Sequence, residues 1–169
     1  IQNVQVIIHC AAVLRGNKKE IYKSNVDFTN KLIKFSSEKE ILFIFISTLN
    51  VNLKYKNNYA MTKSICEKNI INKLNKYTII RSAFLFDDVF EPNLEIMQPL
   101  LKYLKYIPFL IKFKYSPLLQ PLNAYDLINF IIIVLNKKIK YINKIIEIAG
   151  PDKVSMSVLI NSYISNING

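Results

Sequence analysis

Apolar residues along the chain gather into short uninterrupted runs, separated by segments in which they recur at helical spacing. Residues 4–9 form the first run and read as a buried strand, with Ala11-Ala12 as a small-residue turn at its carboxyl end. Across 20–37 the positions Asn25, Val26, Phe28, Leu32, Ile33 and Phe35 recur with a period of about 3.6, which predicts a helix packed on a sheet. Ile41 to Ile46 is short, continuously apolar and rich in aromatic and branched side chains, as buried parallel strands are. Polarity returns at Ser47-Thr48-Leu49-Asn50, where that strand ends, and the Asn- and Lys-rich stretch to Asn58 reads as a surface connection. From Tyr59 to about Asn75 the spacing is helical again, with Met61, Ile65, Ile70, Ile71 and Leu74 on one side and lysines on the other. Thr78 to Phe84 is a further strand. Strands alternating with helices in units of this length predict an α/β fold built on a parallel sheet.

Beyond Asp87 the regularity drops, because Pro92, Pro99, Pro108, Pro117 and Pro121 leave room only for short, interrupted helices between Leu94 and Leu110. This stretch reads as a lid or substrate region. A helix at about Ala124 to Leu135, with Asp126 near its start, leads to a strand at Lys144 to Ile148, the turn Ala149-Gly150-Pro151-Asp152 and a last helix from about Ser155. The expected organisation is therefore 1–86 as one part and 87–169 as a small, mostly helical second part, with 144–150 returning to the first sheet.

Composition bounds the function more than it points to one. The 169 residues, 51% hydrophobic and 21% charged, suit one domain of ordinary size with a sizeable core. Cys10 and Cys66 lack metal-ligand spacing and are too few for a disulfide scaffold, so a reducing, cytoplasmic setting is expected and no metal site is. The net charge of +11 is carried almost wholly by lysine, since Arg15 and Arg81 are the only arginines. Lys, Asn and Ile are enriched together on every kind of segment, which reads as compositional drift; a nucleic-acid reader would use arginine. No apolar run reaches the roughly 18 residues of a membrane span. Because the chain opens on Ile1 and runs straight into an apolar strand, it reads as part of a longer protein.

Chemistry enters with Tyr59 and Lys63, four apart at the start of a predicted helix and so on one face of it. A tyrosine serves as acid or base near neutral pH only when its pKa is drawn well below about 10, and a neighbouring ammonium does this by favouring the phenolate. Ser47 or Thr48, at the preceding strand end, can hold a reacting carbonyl. With 10 tyrosines in the chain, chance alone supplies about one such pair, so the information lies in its context.

That context resembles the extended and atypical short-chain dehydrogenases/reductases, the NAD-dependent epimerase/dehydratase family, along almost the whole chain. Val6-Ile7-Ile8-His9-Cys10-Ala11-Ala12 resembles the family's His-x-Ala-Ala strand end. Asn25-Val26 is similar to its Asn-Val-x-Gly-Thr stretch, with Phe28 in place of Gly before Thr29. Ile46-Ser47-Thr48 resembles the strand end that carries the catalytic Ser/Thr, and Tyr59-Ala60-Met61-Thr62-Lys63, followed by Glu67, resembles Tyr-x-x-x-Lys. Ile80-Arg81-Ser82 falls where the family has Ile/Leu-Arg-Pro, with Ser82 as a departure. Gln120-Pro121-Leu122-Asn123-Ala124-Tyr125-Asp126-Leu127 is similar to a Gln-Pro segment of the substrate region, and Glu147-Ile148-Ala149-Gly150-Pro151 to a late Gly-Pro turn.

The resemblance implies a Rossmann-type domain that binds NAD or NADP, with Ala11, Ala12, Ser47, Tyr59, Lys63 and Ser82 along the cofactor. It implies Tyr59 as proton carrier, Lys63 on the nicotinamide ribose, Thr48 orienting the substrate oxygen, and Arg81 in reach of a substrate phosphate unless it pairs with Asp87 or Asp88. The glycine-rich phosphate turn would lie before Ile1. The expected activity is an NAD(P)-dependent oxidoreductase or epimerase acting on a nucleotide sugar or similar alcohol or carbonyl. The alternative is a non-catalytic, cofactor-holding relative of the nucleotide-binding accessory subunit of respiratory complex I, peripheral on a respiratory membrane. Besides cofactor and substrate, the partners left open are a second copy in a homodimer and a membrane or complex met through Leu100 to Phe113; nucleic acid is not expected. His9 reads as a satisfied strand-end residue.

Overall fold

The structure is a computed structural model that describes residues 3–86, 118–158 and 161. The interrupted helices expected between Leu94 and Leu110 lie outside the described residues, as do Asp87 and Asp88. In chain order the elements are β1 (Val6–His9), α1 (Lys18–Tyr22), a π-helical turn (Lys23–Asp27), α2 (Phe28–Lys39), β2 (Leu42–Thr48), a 3-10 turn (Leu49–Asn52), α3 (Asn58–Lys73) and β3 (Tyr77–Ser82). There follow β4 (Leu85–Phe86), β5 (Leu118–Leu119), β6 (Leu122–Asn123), α4 (Ala124–Asn136), α5 (Lys138–Tyr141), β7 (Lys144–Ile148) and β8 (Val154–Ser155). Two compact units emerge: Ile1–Ser82 with Asn129–Ile148, and Ala83–Ile128 with Ala149–Gly169.

The first unit is built on a four-stranded parallel sheet in the order β1-β2-β3-β7. The α/β class and parallel sheet read from the sequence are those observed. Along β2 every residue from Leu42 to Ser47 is buried, since a central parallel strand is covered on both faces. Its register sets Ser47 beside Arg81 and Thr48 beside Ser82, and one strand further Arg81 lies beside Glu147. Five strand-end residues thus come together on three neighbouring strands. Beneath them Val26, Ile33, Phe43, Phe45, Cys66, Ile70, Leu74 and Ile79 form the core.

The helix expected over 20–37 is present without a break, but it is not one regular α-helix. It starts earlier, where Asn17 and Glu20 form a reciprocal capping box, and it widens into the π turn at Lys23–Asp27 before α2 continues to Lys39. The turn places both Asn25 and Val26 inward, and the buried stripe runs Ile21, Asn25, Val26, Thr29, Ile33, Ser36. Phe28, assigned to the apolar face by its spacing, is 47% exposed. The inserted residue shifts the helix phase, and polar side chains take positions that hydropathy had given to Phe28 and Leu32.

In the second unit β4 pairs with β6 in parallel and β5 with β8 antiparallel. The last helix expected from Ser155 is preceded by β8, which the sequence reading had not separated. The Gln-Pro and Gly-Pro segments meet here: the Gln120 side-chain amide donates to the Gly150 carbonyl at 3.2 Å, and a Cβ at Gly150 would stand 1.7 Å from the Pro121 carbonyl oxygen. Only glycine fits that position.

Candidate functional site

Helix α3 carries the Tyr59 and Lys63 pair, and its start is fixed by the Asn57 side chain, which accepts from the Ala60 N–H at 2.8 Å. Its inward face differs from the one the apolar spacing predicts. Ala60, Thr62, Lys63, Cys66, Glu67 and Ile70 are buried, whereas Met61 and Ile71 are each 42% exposed. The lysine face assigned to solvent therefore fails at Lys63, which is 2% exposed. A buried ammonium next to a buried carboxylate one turn on is a costly arrangement, and such arrangements persist where they hold or perform chemistry.

The Lys63 ammonium donates to the Ile46 carbonyl of β2 at 2.8 Å and lies over the Phe45 ring, 4.4 Å from its centroid, and 5.8 Å from the Tyr59 centroid. Burial pushes its pKa down to about 8, against the pull of Cys66, Cys10 and Glu67. Tyr59 sits half-buried in the first turn, and burial raises its phenol above its ordinary value. This corrects the expectation of a phenol drawn down by its neighbour. The ammonium is turned to the strand carbonyl and the Phe45 face, and burial, which disfavours the phenolate, sets the shift.

Ser47, Thr48, Arg81 and Ser82 sit at the ends of β2 and β3, and the structure gives each a partner. The Ser47 hydroxyl, buried, donates to a Glu67 carboxylate oxygen at 2.5 Å. Thr48 accepts from the Asn50 N–H at 3.3 Å and so caps the 3-10 turn, and the Ser82 hydroxyl donates to the Ser47 carbonyl at 3.3 Å. Arg81 grips Glu67 through two nitrogens, the closest contact being 2.8 Å, and reaches Glu147 at 3.2 Å and the Asn52 side-chain oxygen at 3.0 Å. Asn52 donates in turn to Glu147 at 2.7 Å. Among the described residues the guanidinium is thus held by two carboxylates and an amide. The hydrogen bonds from Asn52 and then Arg81 lower the pKa of the exposed Glu147 carboxyl.

On the other side of α3 lies a web of neutral groups. His9 closes β1 and is buried against the rings of Phe28, Phe43 and Phe45. Its Nε2 is 2.9 Å from the Thr29 hydroxyl, which itself donates to the Asn25 carbonyl, so the ring donates from Nε2. Burial, aided by Lys63, lowers the His9 pKa to about 4. Asn25 accepts from the Val13 N–H at 2.7 Å and donates to the Val13 carbonyl at 2.9 Å and to the Thr62 hydroxyl at 3.1 Å. Thr62 donates to the Tyr59 carbonyl at 2.8 Å, so the loop after β1, with Ala11 and Ala12, is tied through Asn25 to the turn that carries Tyr59. The Cys66 thiol donates to the Asn25 carbonyl at 3.5 Å, and both Cys10 and Cys66 are free. Sequence reasoning missed Asn25 and Glu67 as site residues; the only signal was their place inside the quoted motifs. No group of residues suited to a metal ion occurs among the described residues, and no described helix is long and apolar enough to cross a membrane.

Comparison with known proteins agrees with this geometry. Residues 1–63 match the NAD-binding family described as male sterility protein. No curated protein matches the sequence. Among solved structures, UDP-glucuronic acid 4-epimerase from Bacillus cereus in complex with NAD is similar at a TM-score of 0.80 and 20% identity, over 99% of this chain and 61% of that one. dTDP-4-dehydrorhamnose reductase from Bacillus anthracis in complex with NADP is similar at 0.71 and 20%, over 97% and 62%. dTDP-glucose 4,6-dehydratase from Bacillus anthracis in complex with NAD gives 0.75 and 17%, over 98% and 57%. The chain spans about three-fifths of the length of these proteins, and at such identities the likeness is one of fold. The family match covers residues 1–63 of the 169, and what the solved structures share with the chain is the fold.

Proposed function

We propose, from that fold and from the side chains it gathers, that the chain is the catalytic part of an NAD(P)-dependent oxidoreductase or epimerase acting on a nucleotide sugar or a similar alcohol or carbonyl. The observation that carries the reading is the buried Lys63 ammonium, held by α3 against the end of β2 with Tyr59 one turn before it. The donor set fits a nicotinamide ribose. The Ile46 carbonyl takes one of three N–H donors of the ammonium, and Ala11 and Ala12 leave the backbone beyond β1 unshielded by large side chains. When bound, the dinucleotide supplies or accepts the hydride.

In this reading Tyr59 gives a proton to the carbonyl oxygen or takes one from the alcohol, and the Thr48 hydroxyl orients that oxygen. Lys63 holds the ribose hydroxyls and favours the phenolate once its ammonium turns toward them. Arg81 contributes through its carboxylates to the support of this site; a direct role toward a substrate phosphate would require it to leave them.

The test is NADH and NADPH titration by fluorescence on the complete natural chain, followed by turnover on UDP- and dTDP-sugars. Tyr59→Phe is expected to lower kcat by about 10²-fold or more, the usual size of an acid–base contribution, with little change in cofactor Kd. Cofactor binding with no turnover on any alcohol or carbonyl would move the chain to the non-catalytic, cofactor-holding alternative.

A further inference from the structure

The end of α4 and the short helix α5 carry a surface that the oxidoreductase reading does not use. Between Asp126 and Glu147 the chain has no acidic residue, while Lys137, Lys138, Lys140 and Lys144 fall in that interval. None of these lysines joins an ion pair among the described residues. In their midst Ile139 is 93% exposed, the highest value for a large apolar side chain among the described residues. The lysine turn is tied to the helix before it: the Lys137 N–H donates to the Ile133 carbonyl at 2.9 Å, and the Lys140 N–H to the Lys137 carbonyl at 3.0 Å. Leu135, Asn136 and residues 137–140 line one open hollow of about 800 Å³. On the last turns of α4, Ile132 and Ile133 are also exposed. A single apolar side chain in water is ordinary, but an isoleucine on a turn surrounded by unpaired cations calls for a partner that satisfies both.

Charge and chemistry select that partner. A second copy docked here about a two-fold axis would set lysine against lysine. A nucleic acid would meet isoleucines, which offer its bases no ring to stack on, and no arginine. An anionic lipid surface suits both groups, since an isoleucine enters the acyl boundary while ammonium groups stay among the phosphates. We propose that this surface docks the protein on a membrane rich in anionic phospholipid, with Ile139 entering the interface and Lys137, Lys138 and Lys140 on the headgroups. The contact lies on the membrane and does not cross it.

The test is co-sedimentation of the complete natural chain with vesicles of phosphatidylcholine alone, or with about one-third phosphatidylserine. Binding is expected to the anionic vesicles and should weaken as salt is added. Lys137→Gln, Lys138→Gln and Lys140→Gln together should weaken it about a hundredfold, at roughly fivefold per lysine. Removing three charges from α1 and the π turn, by Lys18→Gln, Lys19→Gln and Lys23→Gln, should weaken it less than about threefold. Ile139→Ser keeps every charge and should weaken it about tenfold. The chain has no tryptophan, so Ile139→Trp supplies a single fluorophore at an exposed position. Its emission should move to the blue on anionic vesicles and be quenched by brominated acyl chains. No binding, equal binding to both kinds of vesicle, equal losses from the two lysine triplets, or an unshifted tryptophan on bound protein each overturns the proposal. Self-association that Ile139→Ser reverses would give the surface to a second copy and overturn it too. None of these readouts needs cofactor or turnover, so this proposal and the oxidoreductase reading fail separately.

Discussion

Helix α3 is fastened on two sides by opposite means. Toward β1 the fastening is a neutral web, His9–Thr29–Asn25–Thr62, while toward β2, β3 and β7 it is a charged one, Ser47–Glu67–Arg81–Glu147. Both satisfy buried polar atoms, and both hold the turn that carries Tyr59 and Lys63. They differ in how they fail. A buried neutral group that loses its partner keeps a desolvation cost of about 1–3 kcal/mol, whereas a buried charge so stranded costs about 3–5 kcal/mol.

The largest break should come from the charged side. Arg81→Leu leaves the Glu67 carboxylate buried without its cation and is expected to lower the unfolding free energy by on the order of 4 kcal/mol, read from urea midpoints at pH 7. A loss of under 1 kcal/mol would show that water reaches Glu67 and that the two fastenings are alike.

The neutral side should break by acid instead. The folded-state pKa of His9 is lowered from 6.5 to about 4, so its contribution is whole above pH 6.5 and is lost as pH falls toward 4, where the unfolded chain has taken a proton that the folded one refuses. The expected loss approaches about 3 kcal/mol, at roughly 1.4 kcal/mol per pH unit. His9 is the only histidine, so comparison with His9→Gln isolates its share of the slope between pH 6.5 and 5. An identical slope in the variant would mean that the ring is already solvated.

The smallest effect sharpens the contrast, because it separates charge from burial. Lys76 and Glu40 form an ion pair at 3.5 Å with side chains 47% and 77% exposed. Lys76→Ala should change the urea midpoint by less than about 0.5 kcal/mol, and 0.5 M salt should erase even that.

These two fastenings also mark where sequence reasoning stopped. The strands, the Ser47-Thr48 strand end and the helix opening on Tyr59 and Lys63 were legible because apolar runs and local spacing specify them. The inward face of α3 was not, since hydropathy assigns every lysine and glutamate to water and Lys63 and Glu67 are the exceptions. The π turn was hidden for a related reason: nothing in a periodic pattern announces one extra residue, and past it Thr29 turns inward where the spacing had placed Phe28. Arg81 was read against the nearby Asp87 and Asp88, while one carboxylate it reaches, Glu147, lies 66 residues further on. Such partners are set by strand order, which local pattern does not contain.

That separation of 66 residues also gives the sheet an order of assembly. As the chain leaves the ribosome, β1, β2 and β3 can pair while β7 is still unmade, so the outer edge of β3, with Ile79 and Ile80, waits with open backbone groups. A nascent apolar edge of this kind invites pairing with another chain. That edge is covered only when β7 pairs with β3, and the same pairing sets Glu147 beside Arg81, so the strand that completes the sheet also completes the charged network.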